Sequence, residues 1–302
     1  MKTILVTGIT GKTGHWFYQK LCAEAQSLSN CHFRFVSRSS SSLSFAKSTD
    51  ISIENCVGDI GEVAFCDRIC GGIDTVIHIA GIRWSFPLLD RAAQKGVKRF
   101  ILVHTTGMFS KYKKAARPYI DLEKRIHELA KLHDISVTIL RPTMIYGTLD
   151  DKNVSFFIRM VDNLRFFPVI NGAKYELQPV YAKDLGEAYY SVLMNSNTTA
   201  GKSYNLSGGA PIMLIDMLKT IARYLGKSPR FFSVPFWLAY SGAWFLYALT
   251  LTKFDYREKV QRMIEPRVFD HEAATADFGY NPVSFAEGVS DETVQYLRQK
   301  RR

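Results

Sequence analysis

The sequence contains few cysteines, and none of them form a Cys-x-x-Cys pair. Its five cysteines, an odd number, all lie in the first quarter of the 302 residues. Cys66 and Cys70 are four residues apart, a spacing that would suit two metal ligands on one face of a helix. We favour the interpretation that the cysteines are small, mostly buried thiols in a reducing cytosol, and we predict no metal site.

Targeting segments, internal repeats and nucleic-acid-binding motifs are also absent, and low complexity is limited to Ser39–Ser42. The first strand pattern begins by Thr3, so we expect no signal peptide before it and a cytoplasmic protein. The 39 basic and 28 acidic residues give a net charge of +11, and most of these charges are scattered along the chain. We therefore expect a phosphate-bearing small molecule as the ligand, and no nucleic acid.

Apolar strand patterns alternate with helical patterns through the first half of the chain. The strand patterns cover 3–7, 32–36, 75–80, 99–104 and 136–140. The helical patterns cover 14–27, 61–70, 85–95 and 119–133. This alternation predicts an α/β fold with a doubly wound parallel sheet. After Tyr146-Gly147 the pattern is less regular and richer in aromatic residues. We therefore predict a sheet domain over 1–150, with a return segment near 175–207, and a smaller, mainly substrate-binding part over 151–302.

A glycine-rich turn follows the first strand in the segment ILVTGITGKTG. Gly8, Gly11 and Gly14 stand between an apolar strand and a helical pattern, which is typical of a Rossmann-type dinucleotide site. Such a turn lets a pyrophosphate approach the backbone, where free N–H groups and the helix dipole attract it. Gly11-Lys12-Thr13 resembles the end of a phosphate-binding P-loop, but that loop needs a glycine where Val6 stands.

Six motifs in order resemble the extended short-chain dehydrogenase/reductase family, which includes nucleotide-sugar epimerases and dehydratases. They are TGITGKTG, VGDI with Asp59, DTVIHIAG, HTTGMF, ILRPTMIYG and PVYAKDLGEA. The closing DFGYNPVSFAEGV resembles the family's C-terminal signature, so the likeness covers nearly the whole chain. It is greatest for the less regular, often uncharacterised bacterial members.

The resemblance implies roles for individual residues. Thr105 matches the catalytic Ser/Thr, a hydroxyl that can bind a reacting oxygen, with Thr106 as the neighbouring candidate and a turn residue as the structural alternative. Asp184 matches an aspartate that holds the returning segment. The cofactor residues that the resemblance implies are Gly8, Thr10, Gly11, Lys12, Thr13, Gly14, Asp59, Ile60, Ala80, Gly81, Lys124, Pro142 and Thr143.

The sequence departs from the family at its catalytic Tyr-x-x-x-Lys pair. Residues four apart share a helix face, but Tyr119 is followed at that spacing by Glu123, and lysine comes one residue later. Lys124 keeps the family's spacing to Glu128, so we assign it the lysine position, near the nicotinamide ribose, with Ile120 at the tyrosine position. Tyr119 follows Pro118. If the regular helix starts only after Tyr119, the direction of the Tyr119 side chain is not fixed by the helix. The catalytic candidates are thus Thr105, Lys124 and Tyr119, with the role of Tyr119 left open.

The end of the second strand carries Ser37-Arg38-Ser39 and no acidic residue. A 2′-hydroxyl is usually bound by a carboxylate at this point, whereas a 2′-phosphate is usually bound by an arginine. Arg38 and Ser39 therefore predict NADP as the cofactor, with NAD as the alternative, and Lys12 would add a second positive charge.

An uncharged, aromatic segment of about 22 residues covers 231–252, and Pro235 and Gly242 interrupt it. We favour a buried or dimer-forming helix here. Peripheral membrane contact is the second interpretation, because the segment is rich in Trp and Tyr and is followed by basic residues. A membrane span is the third.

Three functions are consistent with these features. The leading one is an NADP-dependent oxidoreductase or epimerase/dehydratase-like enzyme for a nucleotide sugar or similar polar substrate. Four arginines are candidates for its phosphates: Arg159, Arg165, Arg262 and Arg267. The second is a non-catalytic NADP-binding regulatory protein, and the third is a membrane-associated reductase of a lipid-like substrate. A homodimer is left open.

Overall fold

The computed structural model describes residues 1–39, 50–250, 257, 260–261 and 264–301. Its centre is a seven-stranded, all-parallel sheet in the order β11-β6-β5-β4-β1-β2-β3. These strands are β1 (Lys2–Thr7), β2 (Cys31–Ser37), β3 (Ser52–Val57), β4 (Thr75–His78), β5 (Arg99–Val103), β6 (Ser136–Pro142) and β11 (Ser203–Leu206). The predicted doubly wound fold is confirmed, and β3 is an addition to the predicted strands.

Helices cover both faces of the sheet, which is why its central strands are nearly all apolar. α1 and α6 pack on one face, and α2, α3 and α4 pack on the other. Their bounds are α1 (Lys12–Ala23), α2 (Val63–Ile69), α3 (Ser85–Gln94), α4 (Lys113–Leu132) and α6 (Ala182–Met194). The strand order reverses between β1 and β4, and the glycine-rich turn lies at the end of β1. Ligands of open parallel sheets bind at such a reversal, outside the carboxyl ends of the strands.

The chain returns to the sheet after residue 180. α6 packs closely on α1, and a β-carbon at Gly186 would lie only 2.5 Å from the Trp16 carbonyl carbon. β11 then extends the sheet beside β6. Asp184 ties this segment to the C-terminal part, because its Oδ2 accepts a hydrogen bond of 3.1 Å from the Val283 N–H. This contact is the structural role predicted for Asp184.

The C-terminal part has its own apolar core between helices and short strand pairs. The helices are α5 (Val154–Asn163), α7 (Ser196–Thr199), α8 (Leu214–Leu225), α9 (Phe236–Leu249), Glu272–Phe278 and Phe285–Lys300. The short strands are β7 (Ile145–Tyr146), β8 (Phe166–Ile170), β9 (Glu176–Leu177), β10 (Val180–Tyr181), β12 (Ile212–Met213) and β13 (Arg230–Val234). Single 3₁₀ turns cover Ala25–Leu28, Ile82–Trp84, Thr106–Phe109 and Asn171–Ala173.

The sequence prediction of a buried or dimer-forming helix over 231–252 is wrong for the buried helix, and the dimer contact stays a prediction. The segment forms β13, which pairs with β8, and then α9. On α9, Trp237 is 67% exposed and Phe245 is 66% exposed, whereas Ala243 is buried. No helix in the described residues is long and apolar enough to cross a membrane. Residues 251 and 252, at the end of the segment, lie outside the described residues.

A buried carboxyl group on the last helix makes stability depend on pH. Glu292 is fully buried, and its Oε2 accepts a hydrogen bond of 2.8 Å from the Gly147 N–H. Burial raises the pKa of Glu292 to about 9, and the nearby Asp151 carboxylate adds to this. Between the ordinary glutamate pKa and about 9 the folded state keeps a proton that the unfolded state releases, so stability falls as the pH rises through that window.

We expect Glu292→Gln to remove this loss, because glutamine keeps an acceptor for Gly147 and has no proton to lose. From pH 5 to pH 8 the free energy of unfolding of the wild type should fall on the order of 2–4 kcal/mol further than that of the variant. Urea unfolding at both pH values measures this difference, and Glu128→Gln, on an exposed side chain, is the control. An identical pH dependence in Glu292→Gln and the wild type would contradict this assignment.

Candidate cofactor and substrate site

The glycine-rich turn has the geometry that a pyrophosphate requires. Gly8 has φ +82°, and Gly11 N–H donates to the Gly8 carbonyl at 2.9 Å. A β-carbon at Gly8 would lie 2.4 Å from Ala80 N, and one at Gly14 would lie 2.1 Å from the Gly8 carbonyl oxygen. Gly8 and Gly14 are therefore fixed by packing. Gly11 has only the Gly8 oxygen close to its β-position, at 3.1 Å, so the space beside it is largely open.

A cavity of about 340 Å³ extends from this turn along the carboxyl ends of β1, β2, β3 and β4. Its lining residues are Thr7, Gly8, Thr10, Gly11, Val36, Ser37, Arg38, Gly58, Asp59, Ile60, Ala80, Gly81, Arg83 and Trp84. Eight of the predicted cofactor residues meet here: Gly8, Thr10, Gly11, Arg38, Asp59, Ile60, Ala80 and Gly81. Sequence reasoning missed Arg83 and Trp84, although only Ile82 separates them from Ala80-Gly81.

The cavity fits a dinucleotide. The N-cap of α1 is Gly11, which has no side chain to satisfy the first N–H groups of the helix, so these groups are available to an anion. The Asp59 carboxylate accepts from the Gly61 N–H at 2.8 Å, which holds the loop after β3 in place. Arg38 is exposed at the end of β2, where a ribose substituent would lie.

Seven predicted cofactor residues do not line this cavity: Lys12, Thr13, Gly14, Ser39, Lys124, Pro142 and Thr143. The Lys12 ammonium lies 3.5 Å from the Asp150 carboxylate, so it does not join Arg38 as predicted. Thr13 is buried, and its Oγ1 accepts from the Tyr189 hydroxyl at 3.3 Å. Gly14 serves the close packing of α1 on the turn. Ser39 is exposed, and its N–H donates to Ser37 Oγ at 3.4 Å.

A second cavity, of about 290 Å³, opens at the same edge of the sheet, beyond β5 and β6. Its lining residues are Thr105, Thr106, Gly107, Phe109, Ser110, Thr143, Met144, Ile145, Asn153, Leu177, Gln178, Glu265, Pro266, Arg267 and Phe269. Thr105 and Thr143 were predicted from the sequence, whereas Asn153, Gln178 and Glu265 were not. Apolar walls with a few polar groups are typical of a small-molecule site.

The polar groups around Thr105 separate the two threonine candidates. Thr105 Oγ1 accepts from the Gly107 N–H at 3.0 Å, which leaves its own proton available to a ligand. Thr106 is buried, and its hydroxyl donates to the Pro142 carbonyl at 3.3 Å. Pro142 is buried behind the cavity, and the Thr143 hydroxyl donates to the Gln178 carbonyl. Thr105 is the better placed of the two threonines to bind a substrate oxygen.

Tyr119 lies beside Thr105. Both Tyr119 Cε2 and Thr105 Oγ1 lie 3.3 Å from the point where a β-carbon of Gly107 would stand. α4 begins at Lys113 and contains Pro118, so Tyr119 is already inside a regular helix. Its ring edge lies near Gly107 and Thr105 without a bend at the helix start, but Tyr119 is not among the residues that line the second cavity.

The assignment of Lys124 to the lysine position is wrong. Its side chain is 75% exposed and lies 3.9 Å from Glu128, and Ile120 is also exposed. Glu123, four residues after Tyr119, turns inward instead. Residues 119, 123, 126 and 130 share a face of α4, since they are spaced by three and four. The buried Ile126 and Ala130 are the signal that would have fixed this orientation from the sequence.

Glu123 is held in a buried network where the family has its lysine. Its Oε1 lies 3.0 Å from His104 Nδ1 and accepts from Arg141 Nε at 3.0 Å. His104 Nε2 lies 3.1 Å from Ser85 Oγ. Burial alone would raise the pKa of Glu123, but these hydrogen bonds and the Arg141 charge lower it to about 2. One helical turn after Tyr119 there is therefore an ionised carboxylate, Glu123, whose charge is balanced by Arg141. An ammonium group would stand at this position in the family.

Of the three proposed arginines that the structure describes, only Arg267 lines the second cavity. Arg159 donates to the Leu149 carbonyl and to Ser155 Oγ, and Arg165 is exposed before β8. Arg262 lies outside the described residues.

The fold and the first cavity are those of a dinucleotide-binding protein. A family profile described as NAD(P)H-binding matches residues 8–161, just over half of the chain. The chain therefore belongs to this NAD(P)H-binding family, as the resemblance predicted.

Solved structures of NAD-dependent epimerases and dehydratases share the fold over the whole chain. The dTDP-glucose 4,6-dehydratase DesIV from Streptomyces venezuelae, with NAD and TYD bound, superposes with a TM-score of 0.74 and 18% identity over 99% of this chain and 98% of that chain. The UDP-glucuronic acid 4-epimerase from Bacillus cereus, in complex with NAD, gives a TM-score of 0.72 and 16% identity over 99% and 100% of the two chains.

One curated relative is similar over a shorter region. It is the NADH dehydrogenase [ubiquinone] 1 alpha subcomplex subunit 9, mitochondrial, of Arabidopsis thaliana, which is 28% identical over 102 residues. The match covers 34% of this chain and only about a quarter of that protein's length, 25%.

Proposed function

We propose that this protein is an NADP(H)-dependent oxidoreductase or epimerase-like enzyme that acts on a nucleotide sugar or a similar polar, phosphate-bearing substrate. The observation that carries the proposal is the arrangement of the two cavities along one edge of the sheet. The glycine-rich turn and Arg38 line the first, and Thr105 and Thr143 line the second. A dinucleotide in the first cavity would direct its nicotinamide toward the second.

The residues of the second cavity suit a polar substrate. The Thr105 hydroxyl would donate to a substrate oxygen, the Asn153 side chain would orient a hydroxyl group, and Arg267 would bind a phosphate. The bound dinucleotide supplies hydride transfer to or from the carbon that carries the reacting oxygen. Tyr119 is the second hydroxyl near that oxygen. The names of the two solved relatives, a dTDP-glucose 4,6-dehydratase and a UDP-glucuronic acid 4-epimerase, support this substrate class.

A second function, an NADP-binding regulatory protein without turnover, is favoured by the Glu123 network. In the family an ammonium four residues after the tyrosine assists proton transfer, and here that position carries a carboxylate neutralised by Arg141. Turnover of NADPH with a panel of nucleotide sugars and other carbonyl substrates separates the two functions. If the protein turns over any of these substrates and the Thr105→Ala substitution removes that turnover, the enzyme function is supported. If the protein binds the cofactor but turns over none of them, the regulatory function is supported.

We expect the protein to bind NADP(H) more tightly than NAD(H), because Arg38 stands where a 2′-phosphate would lie. A charge-assisted contact of this kind is worth about 1.5–3 kcal/mol, so the preference should be roughly tenfold to a hundredfold. Calorimetric titration with both cofactors measures it. Arg38→Ala should abolish the preference, whereas Arg68→Ala, an exposed cation outside the cavity, should keep it. Equal affinity in the wild type, or a preference unchanged in Arg38→Ala, would contradict the assignment to NADP.

The third hypothesis from the sequence, a membrane-associated reductase of a lipid-like substrate, depends on the exposed part of 231–252. The same exposed segment is the candidate contact of a homodimer. We propose a cytoplasmic location for the protein.

A further inference from the structure

An uncharged aromatic surface runs along one side of α9. Trp237 and Trp244 are seven residues apart, as are Leu238 and Phe245, so all four project from the same side of the helix. They are 67%, 55%, 50% and 66% exposed, respectively. Four large apolar side chains exposed on one helix are unusual for a protein surface that faces only water.

The strand pair that precedes α9 also has an exposed apolar side. Phe166 and Pro168 on β8 are exposed, and so is Phe232, which pairs with Pro168 in the register of the two strands. Their neighbours Phe167 and Val169 are buried in the C-terminal core. We call α9 together with β8 and β13 the aromatic unit.

The segments that form and adjoin the aromatic unit carry basic residues and no acidic ones. Residues 164–175 and 223–250 contain no Asp or Glu, and they contain Arg165, Lys174, Arg223, Lys227 and Arg230. Lys227 is paired with Asp162 at 3.3 Å, so the charges that remain for a partner beside the unit are those of Arg165, Lys174 and Arg230. Arg165 and Arg230 are adjacent at one end of the strand pair, where the Arg230 N–H donates to the Arg165 carbonyl at 2.9 Å. Lys174 is exposed near the start of α9, since Asn171, three residues before it, accepts from the Phe236 N–H at 2.9 Å.

We propose that the aromatic unit is a docking surface for an anionic lipid bilayer, with α9 lying in the interface. Tryptophan and tyrosine side chains partition to the interface, and the basic side chains meet the lipid headgroups. A helix of 14 residues is about 21 Å long, which is too short to cross the hydrocarbon core. A second copy of the chain is the less suitable occupant, because two-fold packing would place the same cations on both sides of the contact.

Vesicle sedimentation of the full chain tests this proposal. We expect binding to phosphatidylcholine vesicles that contain about 30% phosphatidylserine, weaker binding to phosphatidylcholine alone, and weaker binding at high salt. The tryptophan emission should move to shorter wavelength on binding, and lipids with brominated chains should quench it. This quenching requires no variant and therefore no assumption about folding.

Matched variants separate the aromatic contribution from the basic one. The combined Trp237→Ser, Trp244→Ser and Phe245→Ser variant should bind at least about tenfold more weakly. Lys174→Glu should bind the vesicles at least roughly fivefold more weakly than the wild type. Leu132→Ser changes an equally exposed apolar residue at the end of α4 and should bind as the wild type does. An unchanged titration with NADP(H) shows that each variant is folded.

Three results would overturn the proposal. The first is no binding of the wild type to vesicles with phosphatidylserine, and the second is equal binding by the triple-serine variant. The third is a dimer that the triple-serine substitution dissociates, in a protein that binds no vesicles. In that case a second copy of the chain would cover the aromatic unit.

Discussion

Gly11→Val should abolish dinucleotide binding and leave the fold intact. The backbone of Gly11 has φ −78°, which any residue adopts, and a β-carbon there would have only the Gly8 oxygen close by, at 3.1 Å. The branched side chain would instead fill the open space through which the pyrophosphate reaches the N–H groups of α1. We expect the affinity for NADPH to fall by about a hundredfold or more, measured by calorimetric titration.

Gly11 is the informative position of the three glycines in the turn. Substitutions of Gly8 or Gly14 would place a β-carbon less than 3 Å from backbone atoms, so they would disturb the fold as well as the site. Gly71→Val is a suitable control, because the nearest atom to its β-position, the Arg68 carbonyl oxygen, is 3.7 Å away. Wild-type affinity in Gly11→Val would place the cofactor elsewhere on the protein.

Thr105→Ala should reduce turnover by roughly a hundredfold while the affinity for cofactor stays nearly the same. Thr105 lines the second cavity, and its hydroxyl proton is available to a substrate oxygen, whereas the dinucleotide is held mainly at the glycine-rich turn. Tyr119→Phe removes one oxygen beside the same position and should cost about tenfold or more if the phenol takes part in proton transfer. Steady-state kinetics and cofactor titration of each variant measure the two effects separately.

Lys124→Met is the control for these variants. The side chain of Lys124 is exposed and paired with Glu128, so its loss should change neither turnover nor cofactor affinity. Loss of activity in Lys124→Met would show that Lys124 belongs to the active site. Full activity in both Thr105→Ala and Tyr119→Phe would remove the family mechanism and favour the regulatory function.

The parts of the site that could be predicted from the sequence are those that depend on local structure. An apolar strand, three glycines and a helix start specify the turn within eleven residues, and Asp59, Ala80 and Gly81 each follow a strand of the same sheet. β3 was not predicted because it is the edge strand of the sheet, where Ser52, Asn55 and Val57 are exposed and no apolar run results.

The orientation of α4 could not be read from the Lys124–Glu128 spacing, because that pair would fit any exposed helix face. Pro118 suggested a helix start, but the helix begins five residues earlier, at Lys113. The inward side of α4 is fixed by long-range contacts of Glu123 with His104 and Arg141, which come from the ends of two strands. Likewise, the composition of 231–252 indicates an apolar element, but only tertiary packing decides which side of it is buried.

Native mass spectrometry of the full chain, incubated with equal concentrations of NADP⁺ and NAD⁺, tests the central claim most directly. The protein should bind one dinucleotide per chain, with the NADP⁺ complex predominant, and Gly11→Val should give the free chain alone. A wild-type chain that binds neither dinucleotide, or that binds mainly NAD⁺, would contradict the account.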